Sequence, residues 1–353
     1  MSYVIDGRQL FGPMGGVQRF IRELVIELDK IADPGEYEIL IPRDADDVPE
    51  YKNIPVIRYG KFKGLLWEQT SLPYYLKTRQ KYGVFPCTIV PLLYPKGLAV
   101  VHDIMIKTVP ELRASIKNPI ARALLLLNYR IAAKRAPVLM TVSEYSKNEI
   151  VREYGRRDSD IHVAGPGWQH VLRIKSDDRW KERYPQLENG KFFFSLSANR
   201  KQKNFKWIAE VAKRNPNYYF AIAGGRDEWQ KQLEYDAENI IRLGFISDGE
   251  IRSLIENCKA FLFPSFYEGF GLPPLEALAL GAKAVVARSS CLPEIYGTSV
   301  YYIDPYDYDT DLDELLSGQV SPASEVLDRF GWEILAEKTD KVLKETFNEK
   351  TRK

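Results

Sequence analysis

Short apolar runs rich in Val, Ile, Phe and Tyr alternate with longer stretches of helical spacing along nearly the whole chain. A chain patterned this way is constrained to layer helices over parallel sheets, an α/β architecture. The first run, Tyr3-Val4-Ile5-Asp6, leads into a glycine-rich loop, Leu10-Phe11-Gly12-Pro13-Met14-Gly15-Gly16. Val17, Phe20, Ile21, Leu24, Val25 and Leu28 then recur at i, i+3, i+4 spacing, which predicts a helix. Further strands are expected at 37–41, 88–91, 98–101 and 138–142, and Ser143 has the chemistry of an N-cap opening the next helix. The stretch 162–173 breaks the periodicity with Gly165-Pro166-Gly167 and reads as a linker. Beyond it the pattern restarts, with strands expected at 192–196, 218–223, 239–243, 260–263 and 283–287, a helix at about 204–214, and an amphipathic helix from Trp332 to Phe347. Two Rossmann-like halves follow from this, with domains at 1–168 and 169–330 and a terminal segment, 331–353. Between two such sheets a site is expected where loops converge at the C-terminal ends of strands.

Charge narrows the function classes. Lys and Arg number 50 against 48 Asp and Glu, a net +2, too balanced for a dedicated nucleic-acid binder. Residues 1–167 carry 24 basic and 19 acidic side chains (+5), and residues 168–353 carry 26 and 29 (−3), so the positive excess lies in the N-terminal half. The opening MSYVIDGRQL has no basic n-region before an apolar core, so no signal peptide is expected. Apolar stretches stay far below the roughly 20 residues of a membrane-spanning helix. Cys87, Cys258 and Cys291 are scattered with no CxxC spacing, which reads as three reduced core thiols in a cytoplasmic compartment and speaks against a zinc site.

The most informative segment runs from Phe263 to Glu276, FPSFYEGFGLPPLE. A buried strand enters a loop with Gly269 and Gly271 and then a helix whose first turn suits Pro273 and Pro274, where an N–H has no partner anyway. The glycines let backbone approach a ligand, and the helix start offers free N–H groups and about half a positive charge. Glu268 before the loop and Glu276 within the helix are suited to accept hydrogen bonds from hydroxyls. Read from physics alone, a strand–turn–helix with solvated glutamates fits equally well.

Glu268 and Glu276 are separated by seven residues, and the surrounding EGFGLPPLEALALG resembles the donor-site segment of family-4 retaining glycosyltransferases, the group-1 glycosyltransferases of bacterial polysaccharide synthesis. That resemblance implies a GT-B fold: α/β, two Rossmann-like domains facing across a cleft, the N-terminal one on the acceptor side and the C-terminal one binding the nucleotide sugar. It places Glu268 and the amides of Gly269, Phe270, Gly271 and Leu272 on the donor sugar and phosphate, and Glu276 on the ribose. Ser197-Ala-Asn-Arg-Lys-Gln-Lys-Asn204 resembles the segment that sets a basic pair on the diphosphate, here Lys203 with Arg200. A fixed cation there opposes the negative charge that the departing diphosphate gains. The chain departs from the commonest pattern, with Ala198 where an Arg is frequent, so Arg200 or Lys201 stands in. Gly15-Gly16 resembles the N-terminal glycine loop near the phosphates and acceptor. His102-Asp103 followed by Pro110 matches a His-Asp-x6-Pro signature that sets the His beside the sugar. Phe245-Ile246-Ser247-Asp248 resembles the loop whose backbone recognises the nucleobase, with Ile246 the contact. Phe330-Gly331-Trp332 and the last helix resemble a segment that crosses back to brace the N-terminal domain, Trp332 packing there. His162 and His170 are left as ordinary packed or hydrogen-bonded residues.

The implied activity is transfer of a hexose, mannosyl or rhamnosyl favoured (GDP-mannose for the former), from a nucleoside-diphosphate sugar to a glycan or lipid-linked glycan, with retention. A sugar-nucleotide epimerase of the same fold and a catalytically silent sugar-nucleotide binder are the alternatives; the first needs acid–base residues that cannot be located, and Glu268, Glu276 and Lys203 speak against the second. Four Asp-x-Asp matches, at 44–46, 158–160, 307–309 and 311–313, follow no clear strand and read as chance. Neither a cofactor nor a metal is expected, and no nucleic acid. Between Glu111 and Pro137 the chain carries Arg113, Lys117, Arg122, Arg130, Lys134 and Arg135 around Leu124–Leu127. Two readings stand: a core helix with a solvated basic face, or a surface that makes peripheral contact with anionic membrane, at the inner face of the cytoplasmic membrane where lipid-linked acceptors reside.

Overall fold

The computed structural model describes residues 2–11, 14–45, 49–114, 116–196, 200–224 and 235–348. Gly12 and Pro13 of the first glycine-rich loop, Ser197 to Asn199, and Gly225 lie outside the described residues. The strands are β1 (Tyr3–Asp6), β2 (Tyr37–Ile41), β3 (Val56–Arg58), β4 (Tyr82–Phe85), β5 (Gly97–Val100), β6 (Val138–Thr141), β7 (Ile161–Val163), β8 (Phe192–Leu196), β9 (Tyr219–Ala223), β10 (Ile240–Gly244), β11 (Ala260–Phe263), β12 (Ala284–Ala287) and β13 (Tyr301–Ile303). The longer helices, numbered in chain order, are α1 (Gly16–Ile31), α2 (Gly64–Thr78), α3 (Pro119–Arg135), α4 (Glu144–Tyr154), α5 (Phe205–Arg214), α6 (Asp248–Asn257), α7 (Leu272–Ala279) and α8 (Trp332–Asn348). The chain divides into two compact units, Met1–Gly167 with Gly331–Lys353, and Trp168–Phe330.

The N-terminal unit holds a parallel sheet in the order β3-β2-β1-β4-β5-β6-β7. β1, β2, β5 and β6 are buried at every residue, as strands covered on both faces must be, and this is why they read as continuous apolar runs. Local chemistry sets the helix ends. The Ser143 hydroxyl accepts from the Ser146 amide at the start of α4, and Gly155 ends it in the left-handed region at φ 65°. Asn118 caps α3, with Pro119 in its first turn. α8, the last element of the chain, belongs to this unit. The Tyr37 hydroxyl donates to Asp340 at 2.8 Å, Trp332 meets Phe20 edge-on at 6.2 Å, and α8 runs alongside α1. With right-handed crossovers, α2, α3 and α4 lie on the sheet face opposite α1.

Two expectations need correction here. Residues 88–91 form no strand. Thr88 sits at φ 69°, a left-handed conformation that cannot continue a ladder, and the strand lies earlier, at β4. The 162–173 segment is only partly a linker, because His162 is inside β7 and His170–Arg173 make a helical turn.

The C-terminal unit holds a second parallel sheet, order β10-β9-β8-β11-β12-β13, over an aromatic core in which Phe192, Phe193, Phe194, Phe220, Phe261 and Trp207 are fully buried. Strand order reverses between β8 and β11. Open α/β sheets bind ligands at the carboxyl ends of the strands beside such a reversal.

Candidate active site

The two segments singled out in the C-terminal half leave β8 and β11, the strands on either side of that reversal. They are stitched together before any ligand is considered. Asn204 adopts φ 51°, which Asn tolerates better than most residues, and its side chain caps α5 at the Trp207 amide. Its amide nitrogen donates to the carbonyls of Pro264 (3.2 Å) and Pro305 (2.8 Å), and the Phe266 amide donates to the Gln202 carbonyl at 2.8 Å. This stitching brings Lys203 Nζ to 2.7 Å from Glu268 Oε1, and the same ammonium lies 4.6 Å from the centre of the Phe263 ring. Both side chains are largely covered, so the pair is worth more than an exposed one. Arg200 is exposed at the head of the same turn and is not part of the Lys203–Glu268 contact.

The Glu268 backbone is held as firmly. Its amide donates to Ser290 Oγ at 3.0 Å, and Cys291 Sγ donates to its carbonyl at 3.2 Å. Burial, with the Glu268 and Glu294 charges near by, keeps that thiol well above its ordinary pKa, so Cys291 is a packing residue. Gly269 and Phe270 are buried, and the Phe270 ring stands edge-on to Phe330 at 5.0 Å. Gly271 ends the loop at φ 86°, where a Cβ would come within 2.6 Å of Leu292 Cδ2; the Tyr296 hydroxyl donates to its carbonyl. Pro273 and Pro274 have no N–H, so the donors at this helix start come from Leu272 and the loop before it.

Glu276, on α7, accepts from His170 Nε2 at 2.8 Å, and His170 is only 2% exposed. His170 is the packed, hydrogen-bonded residue expected of a lone histidine, and its partner gives it a further part: it fixes one of the two glutamates of the motif. Its place after a Gly-Pro-Gly break, 106 positions from Glu276, carries no spacing signal. At the β10 end the Ile246 side chain is buried, while Phe245 beside it is 87% exposed. Ser247 and Glu250 close a capping box on α6 there. The exposed ring, not the isoleucine side chain, is the group this loop presents.

In the N-terminal unit, Gly15 caps α1 in extended backbone (φ −137°) and Gly16 is the first helical residue, both exposed. A Cβ on Gly16 would meet nothing within 4 Å, so the unit's own packing gives no reason for glycine there. His102, after β5, donates from Nε2 to the Pro86 carbonyl at 2.8 Å and packs edge-on to Phe20 at 4.6 Å. Burial lowers its pKa, so the ring is neutral, with Nδ1 as its acceptor. Near the end of β1, oxygens of Asp6 and Glu68 and the Cys87 sulfur lie within 4.8 Å of one another, all buried. Arg8 Nε, 2.5 Å from Glu68 Oε1, supplies the counter-charge. Of the Asp-x-Asp matches, Asp46 lies outside the described residues. Asp311 caps a helical turn, Asp313 pairs with Lys259, and Asp158 pairs with Lys147, which are structural uses.

Comparison with known proteins bears on the same region. Residues 176–325 match the family model for glycosyl transferases group 1. O-antigen chain mannosyltransferase B of Escherichia coli is 27% identical over 327 residues, spanning 84% of this chain and 85% of that protein. Serotype-specific mannosyltransferase WbdA of Escherichia coli is 43% identical over 195 residues, which are 49% of this chain but 23% of that longer protein. Sucrose-phosphate synthase from Thermosynechococcus elongatus superposes with a TM-score of 0.73 over 98% of this chain and 99% of that one, at 13% identity, a likeness of fold alone.

Proposed function

Since residues 176–325 form a group 1 glycosyl transferase domain in a GT-B fold, we propose that the chain transfers a hexose, mannosyl or rhamnosyl, from a nucleoside-diphosphate sugar to a glycan or lipid-linked glycan of a cell-surface polysaccharide, with retention, on the cytoplasmic side. The observation that carries this reading is the Lys203–Glu268 pair at the strand-order reversal, with Glu276, fixed by His170, on the helix that follows the Glu268 loop. The names of the two mannosyltransferase relatives favour mannose as the sugar, and GDP-mannose is the donor we propose with it.

In the reaction, the bond between anomeric carbon and diphosphate breaks while the acceptor hydroxyl bonds to that carbon on the same face. The hydroxyl proton passes to an oxygen of the departing diphosphate. Lys203, with Arg200 near it, offsets the charge gathering on that group, and we assign this task to them in place of a divalent ion. Glu268 and the amides of Gly269, Phe270, Gly271 and Leu272 hold the sugar, Glu276 the ribose, and the 245–248 loop the base, Ile246 through its backbone. The N-terminal unit recognises the acceptor, and Gly15, Gly16 and neutral His102 are the residues there that this reading assigns to the substrates.

Thermal-shift titration with GDP, UDP, dTDP and ADP sugars, followed by transfer assays with the best binder, tests it. GDP-mannose is expected to raise the melting temperature through linkage and to yield an α-mannoside. If no sugar nucleotide stabilises the protein the reading fails, and an inverted product removes the retaining mechanism.

A further inference from the structure

Three loops leave the carboxyl ends of neighbouring strands in the N-terminal sheet: the glycine loop after β1, residues 42–45 after β2 and residues 59–63 after β3. Residues of the last two loops and of α2 line a cavity of about 410 Å³, among them Arg43, Tyr59, Lys61, Phe62, Ser71 and Tyr74. Small-molecule sites run to about 300–1,000 Å³, so the space suffices for a ligand. Its walls are fixed by the chain itself. The Arg58 guanidinium donates to the carbonyls of Arg43 and Ala45, and the Trp67 indole donates to the Tyr59 carbonyl at 2.7 Å. The Tyr59 ring stands edge-on to Tyr75 at 4.8 Å. Gly60, at φ 83°, lies so close to α2 that a Cβ there would collide with Ser71.

Ser71 gives the clearest sign of an occupant. It is only 7% exposed, it lines the cavity, and its hydroxyl has no hydrogen-bond partner among the described residues. A hydroxyl on a helix ordinarily turns back to the carbonyl four residues earlier. On the same helix Thr70 does so to Leu66 at 2.6 Å and Thr78 to Tyr74 at 2.8 Å. A buried hydroxyl left unmet is costly, and the open side of this one is the cavity. The other lining groups describe what would meet it. Tyr59, Phe62 and Tyr74 present aromatic surface, and Tyr74 is 62% exposed. Arg43 and Lys61 have no carboxylate partner among the described residues, whereas their neighbour Lys63 pairs with Asp44 at 3.1 Å. Rings beside a set of hydrogen-bond donors suit a molecule with an apolar face and many hydroxyls, which is a sugar ring; a purely apolar ligand leaves Ser71 and the cations unmet. Adjacent strands lie about 4.8 Å apart, so the ends of β3 and β1 are separated by about 10 Å along one sheet edge. The cavity therefore lies on the same edge as Gly15 and Gly16.

We propose that this cavity is a saccharide subsite of the N-terminal unit, holding a sugar ring of the acceptor glycan beyond the ring that is being extended. That the sugar belongs to an acceptor rests on the transfer reaction proposed above; that the cavity binds a sugar does not. The ring lies against Tyr74, and its hydroxyls accept from Arg43 and Lys61 and bond to Ser71. No bond is made or broken here, so these residues govern which acceptor is held and leave the chemical step to the groups already described.

Isothermal titration of the full chain, without donor, against an α-linked mannotriose and an α-linked rhamnotriose tests the binding. Initial rates with monosaccharide and trisaccharide acceptors test the role. One of the trisaccharides is expected to bind, and Tyr74→Ala and Arg43→Ala each weaken it by about tenfold. Both side chains are exposed, so neither change threatens the fold, and the melting temperature checks this. Ser71→Ala also weakens binding without lowering the melting temperature, because nothing among the described residues bonds to that hydroxyl. In each variant the ratio of kcat/KM for the trisaccharide to that for the monosaccharide falls, through KM. A wild type that binds neither trisaccharide, equal affinity in all three variants, or an acceptor ratio that does not move overturns the proposal. So does inorganic phosphate that binds as tightly and displaces the trisaccharide, because the cavity is then a plain anion site. Should no sugar nucleotide stabilise the protein while a trisaccharide still binds here, the transfer reading fails and the saccharide site stands.

Discussion

Lys203 holds Glu268 in the structure, and in the proposed reaction each exchanges that partner for the donor, the lysine for phosphate and the glutamate for sugar hydroxyls. Lys203→Ala is therefore expected to lower kcat by about 10²–10³, as loss of one preorganised charge-stabilising group does, with a smaller effect on the donor KM. Lys203→Arg, keeping the charge, recovers part of the rate; steady-state kinetics at saturating donor decide. His170 makes the contrasting case. It touches Glu276 and acts through it, so His170→Ala is expected to raise the donor KM about tenfold with kcat little changed, and His170→Gln, which keeps a donor, to rescue most of it. A drop in melting temperature matching the KM loss would instead make His170 a purely structural residue. Lys203 and Glu268 were legible because motif and flanking strands agreed. His170 was not, because a histidine gives no sign of its partner until the fold brings a residue 106 positions away to its ring.

At the scale of elements, two glycines separate folding from function. Gly271 has a left-handed φ of 86° and no room for a Cβ beside Leu292. Gly271→Ala is expected to destabilise the protein by about 1–3 kcal/mol, seen as a lower melting temperature. Gly16 has open space, and at a first helical position alanine favours the helix, so Gly16→Ala leaves the melting temperature unchanged or higher. If backbone at Gly16 approaches a substrate, that same variant loses transfer activity; full activity would remove Gly16 from the site. The long elements, such as α1, α8 and β11, were readable because their apolar period repeats enough times. β3, β7 and β13 have three residues each, too few to show a period, and their pairing comes from neighbours. The 88–91 expectation failed because β-branched residues record a preference for extended backbone, and the left-handed Thr88 ends that backbone whatever its neighbours prefer.

At the scale of the whole molecule, stability depends on carboxyls buried near the end of β1. Burial pushes Glu68 up to about 8, against the opposing pull of Arg8, and Asp6 up to about 6. The folded chain therefore holds protons that the unfolded chain, with carboxyls near 4, has released. The stability this contributes is complete in acid and is lost as pH rises through those folded values. The melting temperature is expected to fall between about pH 5 and about pH 9, and Glu68→Gln, which imitates the protonated acid, to flatten that fall; an unchanged slope in the variant would mean Glu68 is ionised throughout. What the sequence determined by itself was what local physics encodes: two α/β halves meeting at a Gly-Pro-Gly break, and a glycine loop framed by two glutamates. Periodicity, turn chemistry and helix capping act over a few residues and can be read in order. Tertiary structure alone decided which strands flank the reversal, that His170 steadies Glu276, that Arg8 lies against Glu68, and that α3 buries Asn128 and Tyr129. Each of these depends on contacts between residues far apart in the chain, and burial, the force that selects them, belongs to the folded surface and not to any segment.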